Sequence, residues 1–511
     1  MRYLASLALA GATLALMTAC SVGPDYVRPS MISPDAYKEL DGWRIARPQD
    51  ALARGAWWEI FDDPQLNALE ARVSISNQNL AVAEAQYREA RALVREARAA
   101  YFPTVTLGLG YTRSRQSTTF VFGATGGSSS GTSAGSATST GKSGSLASSG
   151  APRSDFQLGL DFSWELDVWG RIRRTVESNR AAAQASAGDL ESARLSFQAE
   201  LAQDYFQLRT LDAQNRLLDE TVSAFEKFLR LTQDRFASGV ASQADVVQAQ
   251  AQLRTTQAQA IDVGVQRAQL EHAIAILMGQ APSTFTLPAA PLAATPPAIP
   301  VGVPSELLER RPDIAASERR VAAANAQIGV AVAAFYPSIT LNASSGLESS
   351  SLDKWFTAAS RFWSVGPGIS QTLFDGGLRH AQTDAARAAY DATVATYRQT
   401  VLTSFQGVED NLAALRVLEE ESGVQDEAVT AAQDSVRLTT NQYKAGIVSY
   451  LNVITVQTIA LTDEVTAIQI RGRRMAAAVL LVQALGGGWT ASELPSPADV
   501  TKREDPTPKA P

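Results

Sequence analysis

One cysteine among 511 residues leaves a single thiol to do chemistry, and its position says which chemistry. Arg2 and an Ala/Leu-rich run from Leu4 to Leu16 lead into Met17-Thr18-Ala19, and Cys20 follows directly. The run is too short to cross a bilayer, which takes about 20 apolar residues, so residues 1–19 read as a signal peptide. A cysteine placed straight after such a cleavage tripeptide resembles a bacterial lipobox, in which the thiol is acylated and becomes part of the first mature residue. Acyl chains contribute about 0.8 kcal/mol of membrane affinity per buried CH₂, so a multiply acylated Cys20 anchors stably. Ser21, where an aspartate would signal retention in the inner membrane, is compatible with export to the outer one. The plainer alternative is an ordinary signal peptide and a chance cysteine.

Other reactive constellations are missing. A lone cysteine excludes a disulfide framework and a Cys-based zinc site. His272 and His380 stand far apart with no metal-type spacing around them. The sequence holds no Gly-rich phosphate loop, nucleophile elbow or His/Glu metal motif. Net charge is −7 with pI near 5.2, the wrong sign for neutralising phosphates, so nucleic acid is not an expected partner. The expectation is a non-enzyme with no catalytic residues, metal or cofactor.

What remains to explain is a repeat. The segment Arg235-Phe236-Ala237-Ser238-Gly239-Val240 resembles Gln442-Tyr443-Lys444-Ala445-Gly446-Ile447, 207 residues later. The same offset relates Gly170 to Gly377, Gln250 to Gln457 and Gly279 to Gly486. Nearer the N-terminus, Tyr101-Phe102-Pro103 matches Phe335-Tyr336-Pro337 at an offset of 234. The first copy therefore carries 27 extra residues between these points. The stretch 123–150, in which 26 of 28 residues are Gly, Ser, Thr or Ala, accounts for them and reads as a flexible loop.

Each copy begins with an Ala-rich helix, about 66–100 and 313–334, stopped by an aromatic-Pro pair. Strand pairs with period-2 alternation follow, within about 104–166 and 338–374. Proline-free stretches come next, with apolar residues such as Leu201, Tyr205, Leu208 and Leu211 spaced by three and four. Arg171 to about Thr232 would make roughly 90 Å of helix at 1.5 Å per residue, which must pack along others of similar length. Gly239 and Gly446 would reverse the chain into second helices. The expected organisation is a signal peptide (1–19), a lipidated extended equatorial segment (20–65), a first repeat (66–282), a linker (283–312), a second repeat (313–490) and a disordered tail (491–511).

Four alternating strands suit an outer-membrane sheet, yet the smallest closed membrane barrel takes about eight. Lipid satisfies no open edge, so the edges must pair with other copies of the chain. A soluble four-stranded sheet capping a helical bundle is the bland alternative. Trp164, Trp169 and Trp363 beside the strand ends fit an interfacial belt. Trp57 and Trp58 fit packing in an equatorial collar, and Arg310-Arg311-Pro312 the end of an extended linker and the start of a helix.

The chain resembles the TolC/OprM-type outer membrane factors, the NodT-like efflux lipoproteins, over nearly its whole mature length. The resemblance rests on Ser21-Val22-Gly23-Pro24-Asp25-Tyr26, on Trp57-Trp58 with Phe61-Asp62-Asp63-Pro64, and on Trp164-Glu165-Leu166-Asp167-Val168-Trp169-Gly170-Arg171. Leu308-Glu309-Arg310-Arg311-Pro312-Asp313, Leu373-Phe374-Asp375-Gly376-Gly377 and Ala484-Leu485-Gly486-Gly487-Gly488-Trp489 complete it. It implies an α+β membrane protein, a homotrimer with a 12-stranded β-barrel on an α-helical periplasmic tunnel. It implies a duct for a tripartite pump, docking on a periplasmic adaptor (membrane fusion) protein and served by an inner-membrane pump of the resistance-nodulation-division type. The matching tip residues are Gly239, Ser242, Asp245 and Val246, and Gly446, Ser449 and Val453; the family meets its adaptor there. Turn and cap chemistry alone would also call for Gly and Ser/Asp at these positions. The family's periplasmic gate maps onto Tyr443, Val448, Asn452 and Thr455. Its usual acidic residues are replaced here by Asn452 and Thr455, so a salt-bridged or cation-binding gate is not implied.

The expected function is passive conduction of drugs or other small toxic compounds to the exterior, with multidrug efflux ahead of protein secretion or metal export. The contrasting class is a surface-anchored coiled-coil adhesin displaying the Ser/Gly loop, which requires neither paired glycine tips nor membrane-type strands.

Overall fold

The computed structural model describes residues 22–31, 34, 36–39, 56–115, 152–292, 295–299, 301 and 304–502. Cys20 and its leader, the Ser/Gly stretch 123–150 and residues 503–511 lie outside the described residues. The described chain forms two compact units, one within Arg98–Arg173 and Val330–Arg379, the other within Gly23–Ala97, Arg174–Gly329 and His380–Pro511. Among the described residues no helix is long and apolar enough to cross a membrane.

The first unit holds four strands: β1 (Thr104–Ser114), β2 (Arg153–Leu166), β3 (Ser338–Ser349) and β4 (Arg361–Ser370). They pair antiparallel in the order β1-β2-β3-β4, so β1 and β4 are the edges. The register puts Leu107 opposite Leu160, Leu158 opposite Leu347 and Ala343 opposite Val365, gathering the apolar side chains on one face. That face is not covered: Leu107 and Leu109 are exposed, as are Leu160, Trp363, Val365 and Ile369. The opposite face carries Thr106, Gln157, Asp161, Ser163, Asn342 and Ser344. A sheet that alternates an uncovered apolar face with a polar one is the pattern of a strand set made for lipid. Trp169 stacks on Tyr336 with centroids 4.8 Å apart and donates its indole N–H to the Pro337 carbonyl at 2.8 Å. Trp164 donates likewise to Tyr101 at 3.0 Å.

The helices are α1 (Pro64–Ser76), α2 (Gln78–Ala99), α3 (Arg171–Ala237), α4 (Gln243–Leu277), α5 (Pro312–Ala333), α6 (Leu378–Lys444) and α7 (Tyr450–Ala484). The two repeats match in length: α3 and α6 each have 67 residues, α4 and α7 each 35. The core of the second unit packs Trp57, Trp58 and Phe61 with Leu66, Leu201, Tyr205, Phe206, Ile274, Val408, Leu412 and Leu481. Asp63 caps α1 by accepting from the N–H groups of Gln65 and Leu66, and its other oxygen accepts the Tyr205 hydroxyl at 2.6 Å. Buried Asp212 receives Arg209 at 2.8 Å and Arg267 at 2.7 Å, and the same arginines bond the carbonyls of Pro288 and Leu287. That network ties the segment after α4 to α3.

Three expectations change. The first Ala-rich helix is broken at Asn77, whose backbone is extended with ψ 120°. Asn77 donates from its amide to the Leu277 carbonyl and accepts from Leu80 N–H, so it starts α2 and secures the end of α4 at once. Residues 491–502 are ordered rather than a disordered tail: Val500 is buried against Val94 and Ala183, and Gln184 donates to the Pro495 carbonyl. Arg310 closes a helical turn, Leu307–Arg310, rather than an extended stretch, before Pro312 opens α5.

Candidate functional site

The tips of the two helical hairpins, α3–α4 and α6–α7, lie in the second unit and pack on one another. Gly239 and Gly446 adopt φ of 75° and 79°, the left-handed conformation a glycine allows without strain. At each, the residue after the glycine bonds back five positions: Val240 N–H to Arg235 carbonyl and Ile447 N–H to Gln442 carbonyl, both 2.9 Å. These are Schellman turns, which satisfy carbonyls left over at the helix ends.

The new helices start differently. Ser242 and Asp245 form a reciprocal capping box, the serine hydroxyl accepting from Asp245 N–H while the carboxylate accepts from Ser242 N–H at 2.9 Å. Ser449 has the same extended backbone but makes no side-chain cap. Asn452 stands where Asp245 stands in the first tip, so the carboxylate that completes the first box is absent from the second. The capping expected of Ser449 is therefore corrected.

The tips join through a small apolar cluster of Ala249, Tyr443, Tyr450 and Val453, with Phe228, Leu229, Val448 and Ile454 at its margin. The Tyr443 and Tyr450 rings lie 5.5 Å apart, and the Arg235 guanidinium sits 4.8 Å over the Tyr443 ring. Arg235 also donates to the Lys444 carbonyl at 3.1 Å, so one side chain of the first hairpin holds the second. Burial, then the neighbouring Tyr443 and Asp245, pushes the Tyr450 phenol up to about 12. The Tyr443 hydroxyl is buried with no hydrogen-bond partner.

Of the gate residues taken from sequence, Tyr443 lies in this cluster and Val448 at its edge, while Asn452 and Thr455 are exposed. Of the tip residues, Gly239, Ser242, Gly446 and Ser449 are exposed, Asp245 and Val246 half-buried, and Val453 buried. Arg235 and Tyr450 were not anticipated. Tyr450 was legible as an aromatic seven residues from Tyr443 across the glycine turn; Arg235 had no signal, since its counterpart 207 residues on is Gln442. The counterpart of buried Tyr443 is Phe236, which is 46% exposed. Each tip also presents an uncovered β-branched side chain, Val240 at 65% and Ile447 at 72%.

Glycine-turned helical hairpins and an outward-greasy strand set on one chain have a match among known proteins. The profile of the outer membrane efflux proteins aligns with residues 71–280 and 303–487, one segment for each repeat. The chain belongs to the outer membrane efflux protein family. Among efflux proteins of this kind, the probable efflux pump outer membrane protein TtgC of Pseudomonas putida is 31% identical over 480 residues, covering 93% of this chain and 94% of its own. The cation efflux system protein CusC of Escherichia coli is 27% identical over 476 residues, covering 93% and 96%. The solved outer-membrane channel OprN superposes with a TM-score of 0.81 at 30% identity, covering 92% of this chain and 100% of that one. This efflux protein has the fold of those channels, resides in the outer membrane and serves as the exit duct of tripartite efflux, as its sequence motifs led us to expect.

Proposed function

We propose that three copies of this chain close their sheets, edge to edge, into one 12-stranded barrel, while the long helices line a periplasmic tunnel. The observation that carries this reading is the sheet itself. Its apolar face is exposed and its edge strands β1 and β4 have no outer partner among the described residues, a state that lipid tolerates only on closure. The duct is passive: cargo enters from a periplasmic adaptor protein and an inner-membrane pump of the resistance-nodulation-division type, and the chain does no catalysis. Cargo is of the small toxic kind; relatives named for toluene, solvent and antibiotic efflux support that choice over cations. Acylated Cys20 adds a lipid anchor.

The adaptor meets the tips at Gly239, Ser242, Asp245 and Val246 and at Gly446, Ser449 and Val453, where exposed Val240 and Ile447 offer apolar contact. The periplasmic gate is made by Tyr443, Val448, Asn452 and Thr455, and without acidic residues its closure rests on tip packing, with Arg235 clamped on Tyr443. A photo-crosslinking probe at Ser242 or Ser449, followed by mass spectrometry, tests the partner. Capture of a periplasmic adaptor from a drug-pump system is the expected result. A reactive, expressed probe that captures no periplasmic protein refutes the docking assignment.

A further inference from the structure

The polar face of the sheet holds one feature that neither docking nor gating uses. In register across the four strands lie Gly108, Gly159, Gly346 and Phe362, one residue from each strand in a single transverse row. Among the described residues Phe362 is the only apolar side chain on that face; its neighbours there are small or polar, such as Ser364, Ser344, Gln157 and Asp161. Its ring does not stand free. A Cβ built at Gly346 would come 2.9 Å from the ring's Cε1 and would strike the Leu158 carbonyl oxygen, so that position admits glycine alone. A Cβ at Gly159, one strand further, would lie 3.7 Å from the ring's Cζ. The ring thus reaches from β4 across β3 to β2, in a recess that exists because two strands lack side chains there. Glycine inside a strand costs stability, roughly 0.5–1 kcal/mol each, so three in one row are not neutral filler.

We propose that Phe362 sets the free width of the duct at this row, and that Gly346 and Gly159 form the recess that parks its ring against the wall. With the ring parked, the passage is bounded there by backbone; with the ring displaced, three phenyl groups point into it. This rests on the reading that three copies close with the polar face inward.

The direct test places 4-fluorophenylalanine at 362 in the full-length trimer and follows its fluorine signal against a water-soluble paramagnetic agent. The parked ring is shielded in the otherwise unchanged protein, and Gly159→Leu, which fills the recess from its far side, raises its exposure to the agent. A fully exposed ring in the unchanged protein overturns the proposal without any recess variant having to fold. In cells that depend on this duct, Gly159→Leu is expected to weaken protection against a bulky toxic compound more than against a small one, and Phe362→Ala in the same chain to restore it. Loss of protection that Phe362→Ala does not relieve also overturns it. The underlying reading fails separately: if a membrane-impermeant charged thiol reagent modifies Val365→Cys but not Ser364→Cys, the polar face does not line water.

Discussion

Glu70 should make this protein less stable as pH rises, and Glu70→Gln should remove that dependence. The side chain lies on α1 with no exposed surface, and neither carboxyl oxygen has a hydrogen-bond partner. Burial alone pushes its pKa well above the ordinary carboxylate range, so the folded chain holds it protonated. Once unfolded, the group ionises near its usual pKa of about 4.3. Between that value and the raised folded pKa, the unfolded state binds fewer protons than the folded one. Stability then falls by about 1.4 kcal/mol for each pH unit. The contribution is fully present below the unfolded pKa and shrinks as pH climbs toward the folded one. At roughly 2 °C per kcal/mol for a large chain, each pH unit inside that window lowers the melting temperature by about 3 °C. Glutamine keeps the shape and cannot ionise. Its advantage over the native residue is therefore small near pH 4.5 and widens with each unit above. Thermal melts of purified trimer in detergent, at one scan rate from pH 4.5 to 8, read the difference, and other titrating groups cancel in the comparison. Parallel pH profiles for the two proteins would refute a neutral, buried Glu70.

Asp212→Asn leaves Arg209 and Arg267 without their shared carboxylate and is expected to cost about 3–5 kcal/mol, read as a lowered melting temperature. At the first tip, Ser242→Ala removes the cap from α4, costing about 1 kcal/mol, and amide exchange should quicken over the first turn of that helix. Ser449→Ala, by contrast, should leave exchange at the start of α7 unchanged, because no cap is lost. Tyr443→Phe deletes a hydroxyl that has no partner and should keep or slightly raise stability, whereas Arg235→Ala should loosen the tips, seen as faster exchange around Tyr443. Gly486→Ala forces a side chain onto a φ of 95° and into the Arg310 carbonyl, so folded trimer yield should drop, the backbone alone costing about 1–3 kcal/mol.

Much of this was legible because the deciding signals are local. A glycine with a serine three residues on, or an aromatic-Pro pair, is a local signal for the end of an element, and the turns at Gly239 and Gly446 and the breaks at Pro103 and Pro337 follow from that. Alternation did the same for the strands, since period 2 needs no knowledge of partners. What the sequence hid depends on distant residues. Asn77 breaks its helix because the end of α4, two hundred residues later, offers a carbonyl to bond. Charge and proline content made the stretch after 490 look unstructured, yet one valine, Val500, finds a pocket between α2 and α3. Tyr443 and Phe236 occupy equivalent places in the two tips and share an aromatic ring, but one is buried and the other is not. Tyr443 packs with Ala249, Tyr450 and Val453 under the Arg235 guanidinium, and repeat symmetry gives no hint of that asymmetry.

The equal lengths of α3 and α6 constrain how the gene can change. Removing one residue from a 67-residue helix shortens it by about 1.5 Å and turns everything beyond the deletion by about 100°. Arg235 would then no longer face Tyr443, and the two glycine turns would no longer sit level. A helix of this kind tolerates substitution but not a change in residue number, unless its partner changes by the same amount. Insertions should therefore accumulate between elements, and the 27 residues that distinguish the two copies lie between β1 and β2, where the register of both hairpins is untouched.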